Sequence, residues 1–555
     1  MQQRQVLAGG QLSPQGLLQR MMDCPRFALP LLAALAALAS AVALADPPGT
    51  QATGSDAPPQ AVFDASSSLE TRSAQQDNLA LKLEPALGSA ASAAPGLEQP
   101  AVEALLLIPS AALRQTPLAA SAPSSQRDTL AATPSGHWVI SLMVYALALI
   151  GAILVAYAIR HYFFALNRLF GRQRHPYVDI DTAAWPNVTI FIAAHNEEAV
   201  IAGALEAILE VDYPREKLTI MPVNDRSSDR TREIVDDFVT RFPGRITPFH
   251  RLSGKPGKAA ALKDATKLVN SEIIVVFDAD YLPSRGLIKQ LVAPFFDPEV
   301  GATMGRVVPN NVGSTLLTRL LDLERAAGYQ VGQKARMSLR LVPQYGGTVG
   351  GVRVAALQEV GGWRDDTLAE DTDLTCRLLL KGWKTVYQNR AECYEEVPEN
   401  WPVRVRQIMR WARGHNQALI RYALQIISSK HTNWRERLDG FALLAVYATS
   451  PSLVLGWILA IALFYAGAGP LVAGFVVFFS FVAFNALGNF SAFFEIAAAS
   501  YLDGSRARIR LLPLNYLGFL VSMVTITRGT LNQLVSDTLF KRELRWDKTV
   551  RYRKA

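Results

Sequence analysis

The sequence predicts an α/β domain with a mainly parallel sheet, enclosed between apolar helices that cross a membrane. Three observations predict it. From Asn187 to about Tyr394, short apolar runs alternate with helical stretches, the pattern of strands joined by crossover helices. Long uninterrupted apolar stretches flank that region on both sides. Half of the 555 residues are hydrophobic and the mean hydropathy is positive, which suits a partly membrane-embedded chain.

At the N-terminus, Arg20 and Arg26 precede an apolar run from Phe27 to Ala45 that ends Ala43-Leu44-Ala45 before Asp46. Residues 1–45 therefore read as a secretory signal cleaved after Ala45, with a translation start at Met21 or Met22. The run is close to spanning length, so an uncleaved signal anchor is the alternative. Residues 46–136 are dominated by Ala, Pro, Ser, Gln and Leu, with aromatic residues nearly absent. Such a segment buries too little surface to offset its ordering entropy. It reads as a disordered periplasmic linker, with a short helix near Val102 to Leu107 and a role in tethering periplasmic or export partners.

Trp138 to Ile159 is apolar throughout and starts with an interfacial Trp, which predicts a transmembrane helix. Its C-terminal flank carries Arg160, Arg168, Arg172 and Arg174, whereas its N-terminal flank has no Lys or Arg back to Arg127. The positive-inside rule then puts the domain from Pro186 in the cytoplasm. Within that domain, residues 186–400, strands are expected at Val188–Ala193, Leu218–Val223 and Glu272–Phe277. Helices are expected at Glu198–Glu210, Asp229–Phe242 and Ala259–Val269. Residues 401–437 read as interfacial helices.

Residues 441–535 form the C-terminal membrane region. Apolar runs from Phe441 to Ala466 and Leu471 to Ala499 flank the break Gly467-Ala468-Gly469-Pro470, which predicts a hairpin of two spans. The run from Leu511 to Thr527 is shorter. Counting it as a span would export the basic tail, residues 541–555, so a re-entrant or interfacial element is preferred over a third span.

The formal charge of +8 does not point to nucleic acid, because the basic residues cluster beside apolar spans and no groove-reading motif accompanies them. The three cysteines, Cys24, Cys376 and Cys393, form neither a disulfide framework nor a metal-ligand spacing.

Several motifs can carry chemistry. Ala194-His195-Asn196-Glu197-Glu198 follows the first strand, at a strand-to-helix turn whose polar groups can hold a nucleotide or simply cap the helix. Val223-Asn224-Asp225 ends the next strand and runs into Arg226-Ser227-Ser228-Asp229-Arg230-Thr231. Gly254-Lys255-Pro256-Gly257-Lys258 opens a helix, offering backbone donors and a cation suited to a diphosphate. Phe277-Asp278-Ala279-Asp280 ends an apolar strand with two carboxylates, hard ligands that suit Mg²⁺ or Mn²⁺.

Further along, Gly346-Gly347-Thr348-Val349-Gly350-Gly351-Val352-Arg353 offers four glycines that permit close backbone approach to a sugar, or simply a sharp turn before a helix from Val354. Ala369-Glu370-Asp371 opens a helix with Leu374, Leu378 and Leu379 on its core side. A carboxylate at such a mouth can take a proton from an attacking hydroxyl, or merely stabilise the helix N-terminus. Gln407, Arg410 and Trp411 share one helical face, where an indole can stack on a pyranose and a guanidinium can pair with phosphate. Arg404, Arg406 and Arg413 read as the lipid-facing cations of the same amphipathic helix.

The order and spacing of V-N-D, F-D-A-D, A-E-D and Q-I-M-R-W resemble those of the processive family-2 glycosyltransferases, which include bacterial cellulose, hyaluronan and poly-N-acetylglucosamine synthases. The resemblance covers roughly Pro186 to Ala555. It implies a GT-A-type, Rossmann-like cytoplasmic glycosyltransferase domain between transmembrane α-helices. It also implies roles: Asp225 receives the nucleobase imide, and Asn196, Glu198, Lys258 and Asp278 complete the donor-nucleotide side. Asp280 binds Mg²⁺ or Mn²⁺, and Asp371 is the catalytic base. Glu370, Gln407, Arg410 and Trp411 meet the acceptor and diphosphate. His195 stands where the family commonly has Tyr, and Ala369 where it often has Thr. Trp546-Asp547-Lys548-Thr549-Val550-Arg551 resembles the C-terminal W-x-K-x-x-R of poly-N-acetylglucosamine synthase relatives.

The function this implies is an inner-membrane inverting hexosyltransferase. It would take UDP-glucose or UDP-N-acetylglucosamine, extend a β-linked polysaccharide acceptor and couple synthesis to translocation across the bilayer. A non-processive enzyme adding one sugar to a lipid is the alternative. A catalytically silent subunit is disfavoured by the intact acids. Four apolar segments are few for a complete pore, so a homo-oligomer or a partner is expected to complete it.

Overall fold

The computed structural model describes residues 134–174, 184–466 and 491–535, with 474 and 479 between the last two stretches. The signal or anchor of residues 1–45, the linker up to 133, the break at 467–470, most of the expected second span up to residue 490 and the basic tail at 541–555 lie outside the described residues.

Helix α1, Pro134–Phe170, begins the described chain, and its Trp138–Phe170 stretch is long and apolar enough to cross a membrane. The α/β domain follows with β1 (Val188–Ala194), α2 (Ile201–Leu209), β2 (Leu218–Asp225) and α3 (Thr231–Arg241). Then come β3 (Phe249–Arg251), α4 (Lys258–Thr266), β4 (Ile273–Asp278), β5 (Leu282–Pro283) and α5 (Leu287–Val292). β1 and β4 read as near-continuous apolar runs because helices cover both faces of the sheet. One face packs Ile190, Ile192 and Val275 on α2 and α3, and the other packs Phe191, Ile274 and Val276 on α4.

The next elements are β6 (Val300–Pro309), α6 (Leu316–Ala326), a π-helical turn at Ala327–Gln333, α7 (Lys334–Ser338), β7 (Gly350–Arg353) and α8 (Val354–Glu359). α9 (Glu370–Leu380) and β8 (Lys384–Glu395) complete the domain. The eight strands lie in the order β3-β2-β1-β4-β7-β6-β8-β5. β3, β2, β1 and β4 are parallel, as are β6 and β8, whereas β7 runs antiparallel to both neighbours and β5 antiparallel to β8. The sheet is thus mixed rather than mainly parallel. The expectation failed at β7, whose Gly350 and Gly351 read as a turn. They are strand residues because the space beside them is full. A Cβ on Gly350 would lie 2.6 Å from the Thr303 carbonyl oxygen, and one on Gly351 would lie 2.8 Å from the Phe295 ring.

The C-terminal helices are α10 (Trp401–Ile427), α11 (Trp434–Leu444), α12 (Thr449–Tyr465), α13 (Ser491–Leu502) and α14 (Leu512–Val535). Asn400 caps α10 by accepting from Val403 N at 3.2 Å, and Asn433 with Glu436 forms a capping box on α11. Among the described residues, Trp434–Tyr465 and Ala507–Val535 are the other two stretches long and apolar enough to cross a membrane. The run expected to be re-entrant or interfacial is a continuous 24-residue helix in α14.

The π-helical turn joins the helices to the sheet. Gln330 accepts from Arg168 Nε on its carbonyl at 2.7 Å and from Asn389 Nδ2 of β8 on its side chain at 2.8 Å. Its own Nε2 donates to Asp503 Oδ1 at 2.6 Å, an oxygen that also takes Arg306 of β6 at 2.8 Å.

Candidate active site

The loops after β1, β2 and β4 meet at the carboxyl ends of parallel strands, where ligands bind in open α/β sheets. The first two are stitched together. Asn196, at φ 55°, accepts from Ser228 N at 2.7 Å on its side chain, and its own backbone amide donates to Ser227 Oγ at 2.9 Å. Glu198 accepts from Arg230 N at 3.0 Å, and its amide donates to Asp229 Oδ2 at 3.1 Å. In this structure Asn196 and Glu198 therefore shape the loop that carries Asp225.

Asp225 is 5% exposed and receives four donors. Oδ1 takes Arg226 Nε and Arg251 Nη1, both at 2.9 Å. Oδ2 takes Arg226 Nη2 at 3.3 Å and Gly257 N at 3.2 Å. A carboxylate offers about four lone-pair sites, so protein donors saturate it. Burial works against its charge, but the two guanidinium bonds and the Gly257 amide outweigh that and hold its pKa below the usual carboxylate value. The V-N-D carboxylate thus also ties β2 to β3 and to the loop before α4.

Lys258, at the first position of α4, donates to Asp278 Oδ1 at 2.5 Å and to the Gly347 carbonyl at 2.8 Å. Burial disfavours its charge, yet the fields of Asp278, Glu370 and Asp371 prevail and raise its pKa. The expected diphosphate cation is therefore also the counterion of three acids. Asp280, two residues beyond Asp278, is 2% exposed.

Glu370 and Asp371 open α9. Asp371 Oδ1 accepts from its neighbour's amide, Thr372 N, at 2.6 Å. Burial pushes both carboxyls above the usual range, and the field of Asp371 pushes Glu370 further. Lys258 and, for Asp371, the Thr372 donors pull them back. Gly347 lies against this pair at φ 74°, and a Cβ there would sit 3.1 Å from Asp371 Cβ. Only one part of the glycine-rich stretch faces the acids. Gly350 and Gly351 serve sheet packing, and Thr348 Oγ1 accepts from Asp278 N at 3.2 Å.

Gln407 and Trp411 of α10 line a cavity of about 130 Å³ with Leu321, Glu324, Arg325, Val397, Pro398 and Arg404. Arg410 is not among its lining residues, so the three motif residues do not all face one space. Arg325 and Arg404 each place the guanidinium carbon 5.3 Å from the Trp411 ring centre. Each is balanced by a carboxylate, Arg404 by Glu324 at 2.5 Å and Arg325 by Glu395 at 2.6 Å. Arg404, expected to face lipid, is instead 8% exposed inside the protein, because its fork bonds Gln407 Oε1 and Glu324. Sequence reasoning also missed His415. Its Nδ1 lies 3.1 Å from the Trp411 carbonyl and its Nε2 3.5 Å from Thr372 Oγ1. Burial lowers its pKa to about 4, so it is neutral at ordinary pH.

Among the described residues no group of three or more His, Cys, Asp or Glu forms a cation site by itself. A magnesium-type ion held by one or two carboxylates and completed by substrate phosphates needs no such group. With Asp278 already balanced by Lys258, buried Asp280 is the carboxylate that would offer hard oxygens to such an ion. The donor set fits Mg²⁺ or Mn²⁺.

Residues 186–414 match the family model described as Glycosyltransferase like family 2. A Bacillus subtilis protein named "Probable glycosyltransferase YdaM" is 30% identical over 376 residues, 66% of this chain and 87% of that one. The chain belongs to glycosyltransferase family 2. Of two other relatives, one is named for a glycolipid and one for a polysaccharide. The Beta-monoglucosyldiacylglycerol synthase of Synechocystis sp. is 30% identical over 49% of this chain and 57% of its own length. The Glucomannan 4-beta-mannosyltransferase 7 of Arabidopsis thaliana is 28% identical over 47% and 48%. The chain thus spans about half the length of these two. As a family-2 glycosyltransferase it is a transferase, and its mixed eight-stranded sheet is the GT-A-like arrangement.

Proposed function

We propose that this family-2 glycosyltransferase works in the bacterial inner membrane as an inverting enzyme. It polymerises a β-linked polysaccharide from a UDP-sugar, glucose or N-acetylglucosamine, and passes the product across the bilayer. The observation that carries this reading is the half-buried acid pair Glu370–Asp371 set against the Lys258–Asp278 ion pair.

In this reading Asp371 takes the proton of the attacking acceptor hydroxyl. Burial makes its carboxylate a stronger base than an exposed one, and the Thr372 amide fixes its orientation. Lys258 keeps the neighbouring acids ionised together and presents positive charge beside the donor diphosphate. Asp225 and the loops bonded to it form the nucleotide side, with Arg226, the more exposed of its two partners, yielding to the base. A Mg²⁺ or Mn²⁺ ion on Asp280 would offset charge on the departing diphosphate. Attack from the face opposite the nucleotide inverts an α-linked donor to a β-product. Trp411 offers a platform for the acceptor, the three apolar helices of the described residues support a membrane location, and the arginines from Arg160 to Arg174 support a cytoplasmic side for the domain.

Membranes bearing the enzyme should convert one labelled UDP-sugar into high-molecular-weight product, and Asp371→Asn should abolish this with UDP binding retained. A second reading, transfer of one sugar to a lipid, draws support from the Synechocystis relative's name. Label confined to the lipid extract would establish it and remove the polymer reading.

A further inference from the structure

Glu395, the last residue of β8, is 5% exposed and lies between the two halves of the site. Its Oε2 accepts from Tyr281 Oη at 2.6 Å, and its Oε1 pairs with Arg325 Nε at 2.6 Å. Tyr281 follows Asp280 directly. β5 then fastens that turn to the end of β8 through the pairs Leu282↔Tyr394 and Pro283↔Cys393. On the other side, Arg325 lines the cavity and holds its guanidinium against Trp411. Contacts therefore run Asp280-Tyr281, Glu395, Arg325, Trp411, from the donor-side carboxylate to the acceptor-side indole through one buried ion pair.

Tyr281 donates its hydroxyl hydrogen to Glu395, and the chain on either side of Tyr281 is held by Asp280 before it and by β5 after it. Burial opposes the charge on Arg325, but Glu395 outweighs it. A phenol, a carboxylate and a planar guanidinium at these distances leave little freedom on either side. Displacing one end shifts the other, and catalysis is sensitive to small shifts between reacting groups.

We propose that Glu395 is a positioning residue that sets the acceptor cavity in register with the donor-side turn, so that an acceptor hydroxyl rather than water reaches the sugar. This rests on the glycosyl-transfer function proposed above. The glutamate bridges two elements remote in sequence, and it lies outside the motifs that mark the donor and acceptor residues.

The test compares full-length wild type with Glu395→Gln and Tyr281→Phe, measuring transfer of sugar to acceptor and hydrolysis of the same UDP-sugar side by side. Each variant should lower the ratio of transfer to hydrolysis about tenfold, because misregistration admits water. KM for the UDP-sugar should stay within about twofold. Arg325→Lys, which keeps the charge, should retain more of the ratio than Arg325→Gln. Tyr281→Phe removes one hydroxyl and keeps the ring, so it tests the link even where Glu395→Gln folds poorly. Transfer and hydrolysis falling in proportion, or neither changing, would overturn the inference while leaving the enzyme a glycosyltransferase. A wild type that transfers no sugar from any UDP-donor overturns the functional reading and this inference together.

Discussion

Gly414 of α10 lies directly on Ala369, the residue that precedes the acid pair: a Cβ on Gly414 would sit 2.6 Å from Ala369 Cβ and 3.0 Å from Ala369 N. The helix carrying Gln407 and Trp411 and the helix opened by Glu370 and Asp371 therefore touch backbone to backbone. Gly414→Ala should force them apart. The expected outcome is a loss of about 1–3 kcal/mol, the usual cost of overpacking. Activity should fall further than stability alone explains, read from thermal unfolding beside labelled-sugar incorporation.

Lys258 sets the acid limb of the pH profile. The base must be ionised, so activity falls as pH drops through the raised pKa of the Glu370–Asp371 pair. Lys258 lowers both of these pKa values, and removing it raises them. Lys258→Met should lower the maximal rate and move the acid limb to higher pH. A profile whose limb stays in place, or moves to lower pH, would show that the ammonium does not act on these acids.

Asp225 links β2 to Arg251 of β3 with a pKa held below the unfolded value of about 3.9. The stability it contributes is full above that unfolded pKa and is lost as pH falls through the lower folded one. Asp225→Asn should therefore melt below wild type at neutral pH, with the gap closing as pH falls below the unfolded value and through the lower folded one. UDP affinity should fall in the same variant at neutral pH, checked by calorimetry.

Chelation gives a further check. Ethylenediaminetetraacetate should stop incorporation by the wild type, and Mn²⁺ or Mg²⁺ should restore it. Asp280→Asn should remain inactive at any concentration of either ion, while keeping the wild-type melting temperature in their absence to within a few degrees.

The strands β1, β2 and β4 were legible because helices on both faces demand unbroken apolar runs, and those runs are visible without a structure. The ends of the runs also placed Asp225, Asp278 and Asp280 at strand mouths. β7 was not legible, since four residues with two glycines look like a turn until Thr303, Tyr345 and Phe295 are seen to fill the space around them. The saturation of Asp225 was hidden for another reason: Arg251 comes from β3, and no spacing rule brings it to β2. Arg404 misled because helical periodicity gives a face but not what covers it. Its partner Glu324 lies 80 residues away. Glu395 and His415 carried no signal, as each acquires meaning only from Tyr281 and Thr372 on other elements.

The turn at Ala327–Gln333 holds one consequence for how this chain can vary. A π-helical turn contains more residues than an α-helical one, so it works as an insertion absorbed in place. Deleting a single residue there would restore α-geometry by drawing in the bulge, so the residues of the turn itself, rather than the helix beyond it, would change place. Gln330 would turn away from Arg168, Asn389 and Asp503 together. At this point the chain tolerates a change of letter more readily than a change of count: the spelling is adjustable, and the metre is not.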